Sequence, residues 1–466
     1  MAQRLAVDLS LLLRWTGPPV GIMRVEAEIA RRAIGRRDTD FVFFDTRSAA
    51  FRTIRPESVR SAIAGTAAID LSGMPDPREV RRDAAGSLLH RLDPYLTAVR
   101  RPRRFAIDSL ERARDLLPAG GLHDAATRMQ EKLFSARHRR LYFDREGRRR
   151  TLRPIDRLLG PPAPLDRDTV LFSAGADWNT KNPAHMHALK QRDGWRLVNV
   201  CYDLIPLDMP HFFPPRDVAV VGDYFRRMIG ATDRFVAISQ ATARDLRAFA
   251  DRENLALGDV QVEPLGSDLP AAAAENLPPG LSPQRYILFV STIEPRKNHA
   301  ILLRAWERLN REGLPEKAGV KLVFVGRHGW DVDPVLKGIA EARNLIHLAD
   351  ADDSLLSLLY EKAAFCVYPS LYEGYGLPIV EAFRHGRAVI ASDRGSIPEV
   401  MADLGPCLDP GDEDAWAAAL RDWIIHPAAI AEREAAIRAG FRPVTWDEAA
   451  ARYIGQALSV FDLPPR

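Results

Sequence analysis

The stretch Tyr368-Pro369-Ser370-Leu371-Tyr372-Glu373-Gly374-Tyr375-Gly376-Leu377-Pro378-Ile379-Val380-Glu381-Ala382 joins the end of an apolar run to the start of a helical one. Proline has no N–H, so Pro378 suits a first helical turn, where that donor would have no partner. Gly374 and Gly376 allow backbone conformations closed to other residues and let a ligand come close. The N–H groups of such a turn, backed by the positive end of a helix, are a ready site for phosphate. Glu381 is expected in the first helical turn, and Glu373 in the loop before it. Two carboxylates eight residues apart, one on each side of a phosphate-binding turn, suit sugar hydroxyls at both ends of a diphosphate. The ordinary alternative is a pair of helix-dipole acids.

Outward from this stretch one grammar repeats. Strands are expected at Tyr286–Val290, Lys321–Val325, Leu345–Leu348, Phe365–Tyr368 and 388–391, with helices over 300–310 and 354–364 between them. The first part of the chain reads the same way. Strands are expected at 5–9, 41–44, 169–172, 196–200 and 234–238, and a glycine-containing loop, 17–21, leads into a helix over Ile22–Ala33. Near-continuous apolar strands alternating with helices indicate parallel sheets covered on both faces, a doubly wound α/β arrangement.

The region from about 70 to 168 departs from this grammar. About 20 arginines fall between Arg78 and Arg157, against about half as many acids, with clusters at 100–104, 139–140 and 148–150. Leu88, Leu89, Leu92, Tyr95 and Leu96 recur at helical spacing. The region reads as a helical insertion. A solvated, salt-bridged excursion and a docking surface for anionic lipid or a pyrophosphate-linked acceptor both stay open.

A chain of 466 residues exceeds one compact domain. The expected organisation is a first domain over 1–275 carrying the insertion, a linker over 270–283 rich in Ala, Pro and Gly, and a second domain over 276–445. A C-terminal helix over 446–466 follows, and its return to the first domain is left open. No apolar run reaches the length of a membrane span. The first residues lack a basic stretch before an apolar core, so no signal peptide is expected. Cys201, Cys366 and Cys407 are expected as buried free thiols of a reducing compartment, and no pair has metal-ligand spacing. The net charge, +3, is close to neutral.

The ordered motifs from about 286 to 416 resemble the donor domain of glycosyltransferase family 4, with Glu373 and Glu381 at the two acids of its E-x7-E signature. Ser291-Thr292-Ile293-Glu294-Pro295-Arg296-Lys297-Asn298 resembles that family's diphosphate-contacting loop. Gly326 and Gly329-Trp330 resemble the loop after the next strand, and 350–359 the helix before the signature. Ser392-Asp393 and Ile397-Pro398-Glu399-Val400 match the segment after it. In the first part, the loop from Gly17 that ends Gly21-Ile22-Met23-Arg24 resembles the loop lying against the donor phosphate. Asp203-Leu204-Ile205-Pro206 resembles a loop at the end of a middle strand, where many members place His before the Asp and this chain has Tyr202. Ser239 to Asp245 resembles the segment that closes this sheet.

The resemblance implies a GT-B architecture, with two facing Rossmann-like domains and the active site between them. It implies a nucleotide-diphospho-sugar donor and retention of anomeric configuration. Glu381 would hold the ribose, Glu373 would face the transferred sugar, and Arg296 and Lys297 would neutralise the leaving diphosphate. Gly21, Gly374, Tyr375, Gly376 and Leu377 would line the donor, and Tyr202 and Asp203 would stand on the acceptor side. Preorganised cations can stabilise a leaving phosphate, so neither a metal nor a cofactor is expected; Asp350-Ala351-Asp352 opens a helix and does not fit a metal site. GDP-mannose is the favoured donor. The favoured acceptor is a glycan or polyprenyl-diphosphate-linked sugar of surface polysaccharide synthesis, reached from the cytoplasm at the inner membrane face. No nucleic-acid partner is expected. A GT-B sugar phosphorylase and a non-catalytic GT-B-like scaffold are the alternatives kept. A glycosidase needs no phosphate-binding helix end beside an Arg-Lys pair, and a dinucleotide dehydrogenase needs a G-x-G-x-x-G run that the first strand does not lead into. Trp330 reads as packing rather than ligand contact, and Trp178 as either packing or a sugar platform.

Overall fold

A computed structural model describes residues 3–15, 19–66, 69–70, 74, 106, 109–110, 121–132, 153–272 and 276–464. The arginine clusters at 100–104, 139–140 and 148–150, the apolar stripe at 88–96, Gly17 and part of the 270–283 linker lie outside the described residues. Within the expected insertion, a helix runs from Gly121 to Lys132.

The first sheet has eight strands. They are β1 (Arg4–Asp8), β2 (Thr39–Asp45), β3 (Ala50–Ile54), β6 (Leu159–Pro162), β7 (Thr169–Ser173), β8 (Arg196–Cys201), β9 (Arg234–Ala237) and β10 (Asp259–Val262). β4 (Ile69–Asp70) and β5 (Arg153–Pro154) form a separate parallel pair. The order is β10-β9-β8-β7-β1-β2-β3-β6. β1 runs parallel to both β2 and β7, and β7 to β8, whereas β3 is antiparallel to β2 and β6. β7 and β8 are buried at every residue, as both-face coverage requires. β3 mixes buried and half-buried residues and lies next to the edge strand β6. The chain leaves β1 toward β2 on one side and later returns to β7 on the other, so the strand order reverses between β1 and β7.

The second sheet is wholly parallel. Its strands β11 (Tyr286–Val290), β12 (Lys321–Val325), β13 (Leu345–Leu348), β14 (Phe365–Tyr368), β15 (Val389–Ser392) and β16 (Cys407–Leu408) run in the order β13-β12-β11-β14-β15-β16. The order reverses between β11 and β14. The carboxyl ends of the two strands at such a reversal are where open α/β sheets bind ligands. Helices His299–Arg311 and Glu413–Ile425 cover the sheet with Trp306 and Trp416, both fully buried. Local signals set the helix starts. The side chains of Asp352, Asp412 and Ser239 each accept an N–H of the first turn that follows.

Contacts divide the chain into two compact units. One holds 1–199, 230–234 and 457–466; the other holds 200–229 and 235–456. In the first, the Arg196 guanidinium donates to the carbonyls of Leu463 and Pro464, both at 2.9 Å, which anchors the chain end. The expectation for the cysteines needs one correction. Cys201 and Cys366 are buried, but Cys407 is exposed, because it opens β16, a two-residue strand at the edge of the sheet.

Candidate functional site

The loop after β11 is tightly folded. Pro295–Lys297 forms a single 3-10 turn, and Asn298 takes a left-handed conformation at φ 58° to start helix His299–Arg311. The Asn298 amide donates to the carbonyls of Pro369 and Pro410, at 3.1 and 2.8 Å. The Arg296 carbonyl accepts the Leu371 N–H at 2.9 Å. On the other side, the Gly329 N–H donates to the Ile293 carbonyl at 2.8 Å. The loops after β11, β12 and β14 therefore hold one another at the switch point.

Four charges meet there. Glu373 pairs with Lys297 at 2.6 Å and with Arg296 at 3.0 Å, and Arg296 also pairs with Glu294 at 2.7 Å. The Tyr368 hydroxyl donates to Glu373 at 3.1 Å, and Arg296 donates to the Tyr372 carbonyl at 2.6 Å. Both carboxylates are buried. Burial alone would raise the Glu373 carboxyl, but Arg296 and Lys297 outweigh it and hold the group at about 2. Glu294 is pushed up by burial, with Arg296 opposing. Burial also lowers the Lys297 ammonium, against the pull of Glu373. Two cations and two carboxylates make the cluster neutral as it stands.

The next residues form the turn into helix Leu377–Arg384, with Gly376 left-handed at φ 103°. Among the described residues, the N–H groups of Gly374, Tyr375, Gly376 and Leu377 donate to no protein acceptor. They are an unfilled row of donors at a helix N-terminus. Gly374 is required for a different reason than expected. A side chain there would fall on the Tyr202 carbonyl, so the glycine admits a neighbouring segment of the chain. Glu381 also needs a correction. The helix starts at Leu377, which places Glu381 in the second turn and not the first. It is buried and accepts the Tyr360 hydroxyl at 3.0 Å.

Of the other expected residues, Tyr202 is buried and the Asp203 carboxylate accepts the Ile205 N–H at 3.1 Å. Burial raises the Asp203 carboxyl, with Arg296 the main opposing charge. These two share a unit with Arg296, Lys297, Glu373–Leu377 and Glu381. Gly21 belongs to the other unit, where it is left-handed at φ 54° and precedes helix Ile22–Ala33. Trp330 packs: its indole N–H donates to the Phe212 carbonyl at 2.7 Å, and its ring lies 5.6 Å from that of Phe213. Reading the sequence gave no role to Glu294, Tyr368 or Tyr360. Tyr368 ends β14 and Tyr360 lies in the last turn of helix Asp353–Lys362, each donating to one signature acid, but residue type alone does not single them out. Among the described residues no group of three or more His, Cys, Asp or Glu is placed to hold a metal ion. No helix there is long and apolar enough to cross a membrane.

Residues 278–442 match the family described as Glycosyl transferases group 1. The O-antigen chain mannosyltransferase B of Escherichia coli is 39% identical over 158 residues, which are 32% of this chain and 40% of that protein. The serotype-specific mannosyltransferase WbdA of Escherichia coli is 29% identical over 236 residues, 47% of this chain and 28% of that protein. The chain thus spans less than half the length of these curated relatives. A solved structure described as "OtsA apo structure" is similar with a TM-score of 0.50 and 14% identity, over 63% of this chain and 73% of that one. The likeness concerns the fold alone, and the fold class is GT-B, with two Rossmann-like sheets.

Proposed function

We propose that this protein is a retaining, metal-independent glycosyltransferase. It moves a hexose, mannose with GDP-mannose as the favoured donor, onto a glycan or polyprenyl-diphosphate-linked acceptor of surface polysaccharide synthesis. The observation that carries this reading is the Arg296–Lys297 pair on Glu373, set beside four unfilled backbone amides. Cleavage of the sugar–phosphate bond builds negative charge on the leaving diphosphate. Two fixed cations and a row of oriented N–H groups stabilise that charge without reorganising. Glu373 keeps both cations in place and, with its carboxyl at about 2, stays ionised throughout the physiological range. A glycosidase's general acid must hold a proton near neutral pH, which disfavours that role for this carboxyl. Glu381 takes the ribose, and Tyr202 and Asp203 face the acceptor. The names of the curated relatives support a mannosyl group and a surface polysaccharide.

The arginines of 78–157 supply contact with the inner membrane face in this reading, each adding about 1 kcal/mol near an anionic surface. Binding to anionic but not neutral vesicles, released by salt, is the expected result. Turnover tests the chemistry, with UDP-, GDP- and dTDP-sugars offered in turn. Turnover that appears only with added phosphate would identify a sugar phosphorylase, and binding without turnover a scaffold. EDTA should leave the rate unchanged; loss of activity that magnesium restores would overturn the metal-free mechanism.

A further inference from the structure

The donor loop exposes its amides because its carbonyls are occupied. The Glu373 carbonyl accepts the Ser396 N–H at 3.1 Å, and the Tyr375 carbonyl accepts the Ser396 hydroxyl at 2.8 Å. Between them, the Gly374 carbonyl accepts the Ser239 hydroxyl at 2.6 Å. The Ser396 hydroxyl also lies 3.0 Å from the Glu373 carbonyl, and the Thr242 hydroxyl lies 3.2 Å from the Gly374 carbonyl, so the two serines make the shortest bonds of a shared network. Ser239 in turn accepts the Thr242 N–H at 3.0 Å, and the Thr242 hydroxyl lies 3.1 Å from the Tyr202 carbonyl. Ser239 and Ser396 are fully buried. They open two different helices, Gln240–Arg252 and Ile397–Met401, and Glu399 joins these by accepting the Gln240 N–H at 3.0 Å. Each carbonyl shares a rigid plane with the following N–H, so fixing the carbonyls of Glu373, Gly374 and Tyr375 fixes the N–H groups of Gly374, Tyr375 and Gly376.

We infer that Ser239 and Ser396 are positioning residues that preorganise this amide row for a diphosphate. Neither touches the ligand; they act through peptide orientation. The inference rests on the donor site proposed above. It adds that the row is completed by a helix start that lies outside the second sheet's own loops. An unfixed peptide plane would have to be ordered when the anion binds, which weakens affinity.

The test uses the full chain and inorganic pyrophosphate, which has no base or sugar to compensate. Calorimetry should show Ser396→Ala binding pyrophosphate about threefold to tenfold more weakly, the effect of one neutral hydrogen bond. This variant removes one hydroxyl and keeps the backbone N–H. Ser239→Ala should lose a similar factor, and Ser239→Thr, which keeps the hydroxyl, should restore it. A purely structural role would lower the melting temperature of both alanine variants and leave pyrophosphate affinity at the wild-type level, and that result overturns the inference. So does failure of the wild type to bind pyrophosphate. If the variants behave as expected but no nucleotide-sugar is turned over, the clamp stands and the transferase reading falls.

Discussion

The two sheets reverse their strand order at β1/β7 and at β11/β14, and both reversals are packed with buried charge, to opposite effect. At the first, the β1–β7 register sets Asp8 beside Ser173. Lys181 pairs with both Asp8 and Asp177, and Ser173 donates to Asp177 at 2.7 Å. Glu26 accepts the Leu12 N–H at 2.6 Å, and its other oxygen has no partner among the described residues. Three carboxylates share one cation, all fully buried. Burial drives the Glu26 carboxyl well up, with Asp8 adding to it, and raises Asp177 against the pull of Lys181. At the second reversal two cations, Arg296 and Lys297, serve Glu373 and Glu294 directly and Asp203 through space, and Glu373 is driven down to about 2. The same topological position thus pushes buried carboxyls up in one sheet and holds Glu373 down beside two cations in the other. The count of cations decides which, because burial penalises any charge that lacks a partner.

Lys181→Met would break the first cluster most severely. It strands Asp8 and Asp177 and should cost about 3–5 kcal/mol in denaturant unfolding, while leaving pyrophosphate affinity unchanged. Loss of pyrophosphate binding in a folded Lys181→Met protein would mean that the two clusters do not act separately. Arg296→Ala or Lys297→Ala should lower turnover about 100- to 1000-fold, as for removal of one preorganised donor to a developing charge. Wild-type turnover in either variant would place the leaving phosphate elsewhere.

Glu26→Gln sharpens the contrast through pH. The folded carboxyl keeps its proton above the range where the unfolded one, near 4.5, loses it. Wild-type stability contributed by this group is therefore lost as pH rises past that value. The glutamine cannot ionise, so melting curves should shift in the variant's favour between pH 5 and 8, by at most about 1.4 kcal/mol per pH unit. Glu373 has the reverse sign: its contribution is present above about 4.5 and disappears as pH falls toward 2. A pH-independent difference between Glu26→Gln and wild type would show Glu26 to be ionised in the fold. The smallest effect expected is that of Glu381→Ala, a loss of about threefold to tenfold in donor affinity with the rate little changed. Unchanged affinity by calorimetry would remove Glu381 from the ribose.

The strands Tyr286–Val290, Lys321–Val325 and Phe365–Tyr368 coincide with their apolar runs, since a strand buried on both faces leaves little freedom in its boundaries; Leu345–Leu348, half-buried at the sheet's edge, also coincides with its run. The helix Ile22–Ala33 is equally legible, from its period and the glycine before it. Glu381 falls just past the first helical turn, because Leu377 rather than Pro378 begins the helix and nothing in the local residues fixes that start to within one residue. Cys407 was misread because an apolar neighbourhood in sequence does not say which strand lies at an edge.

The sequence by itself determined the alternation of strands and helices, the anion-binding turn, and the acids and cations that chemistry would need near it. These follow from local rules, such as side-chain period, proline and glycine geometry, and charge type. Tertiary structure alone decided which charges meet. Residues 296 and 373 become partners only because the strand order reverses between β11 and β14, and Asp8 meets Lys181 at the matching reversal of the first sheet. It also decided that Gly374 yields to a carbonyl and that Ser239 holds the donor loop. Such pairings join residues from 77 to 173 positions apart, and their energies depend on burial and partner count, which no local pattern of residues carries.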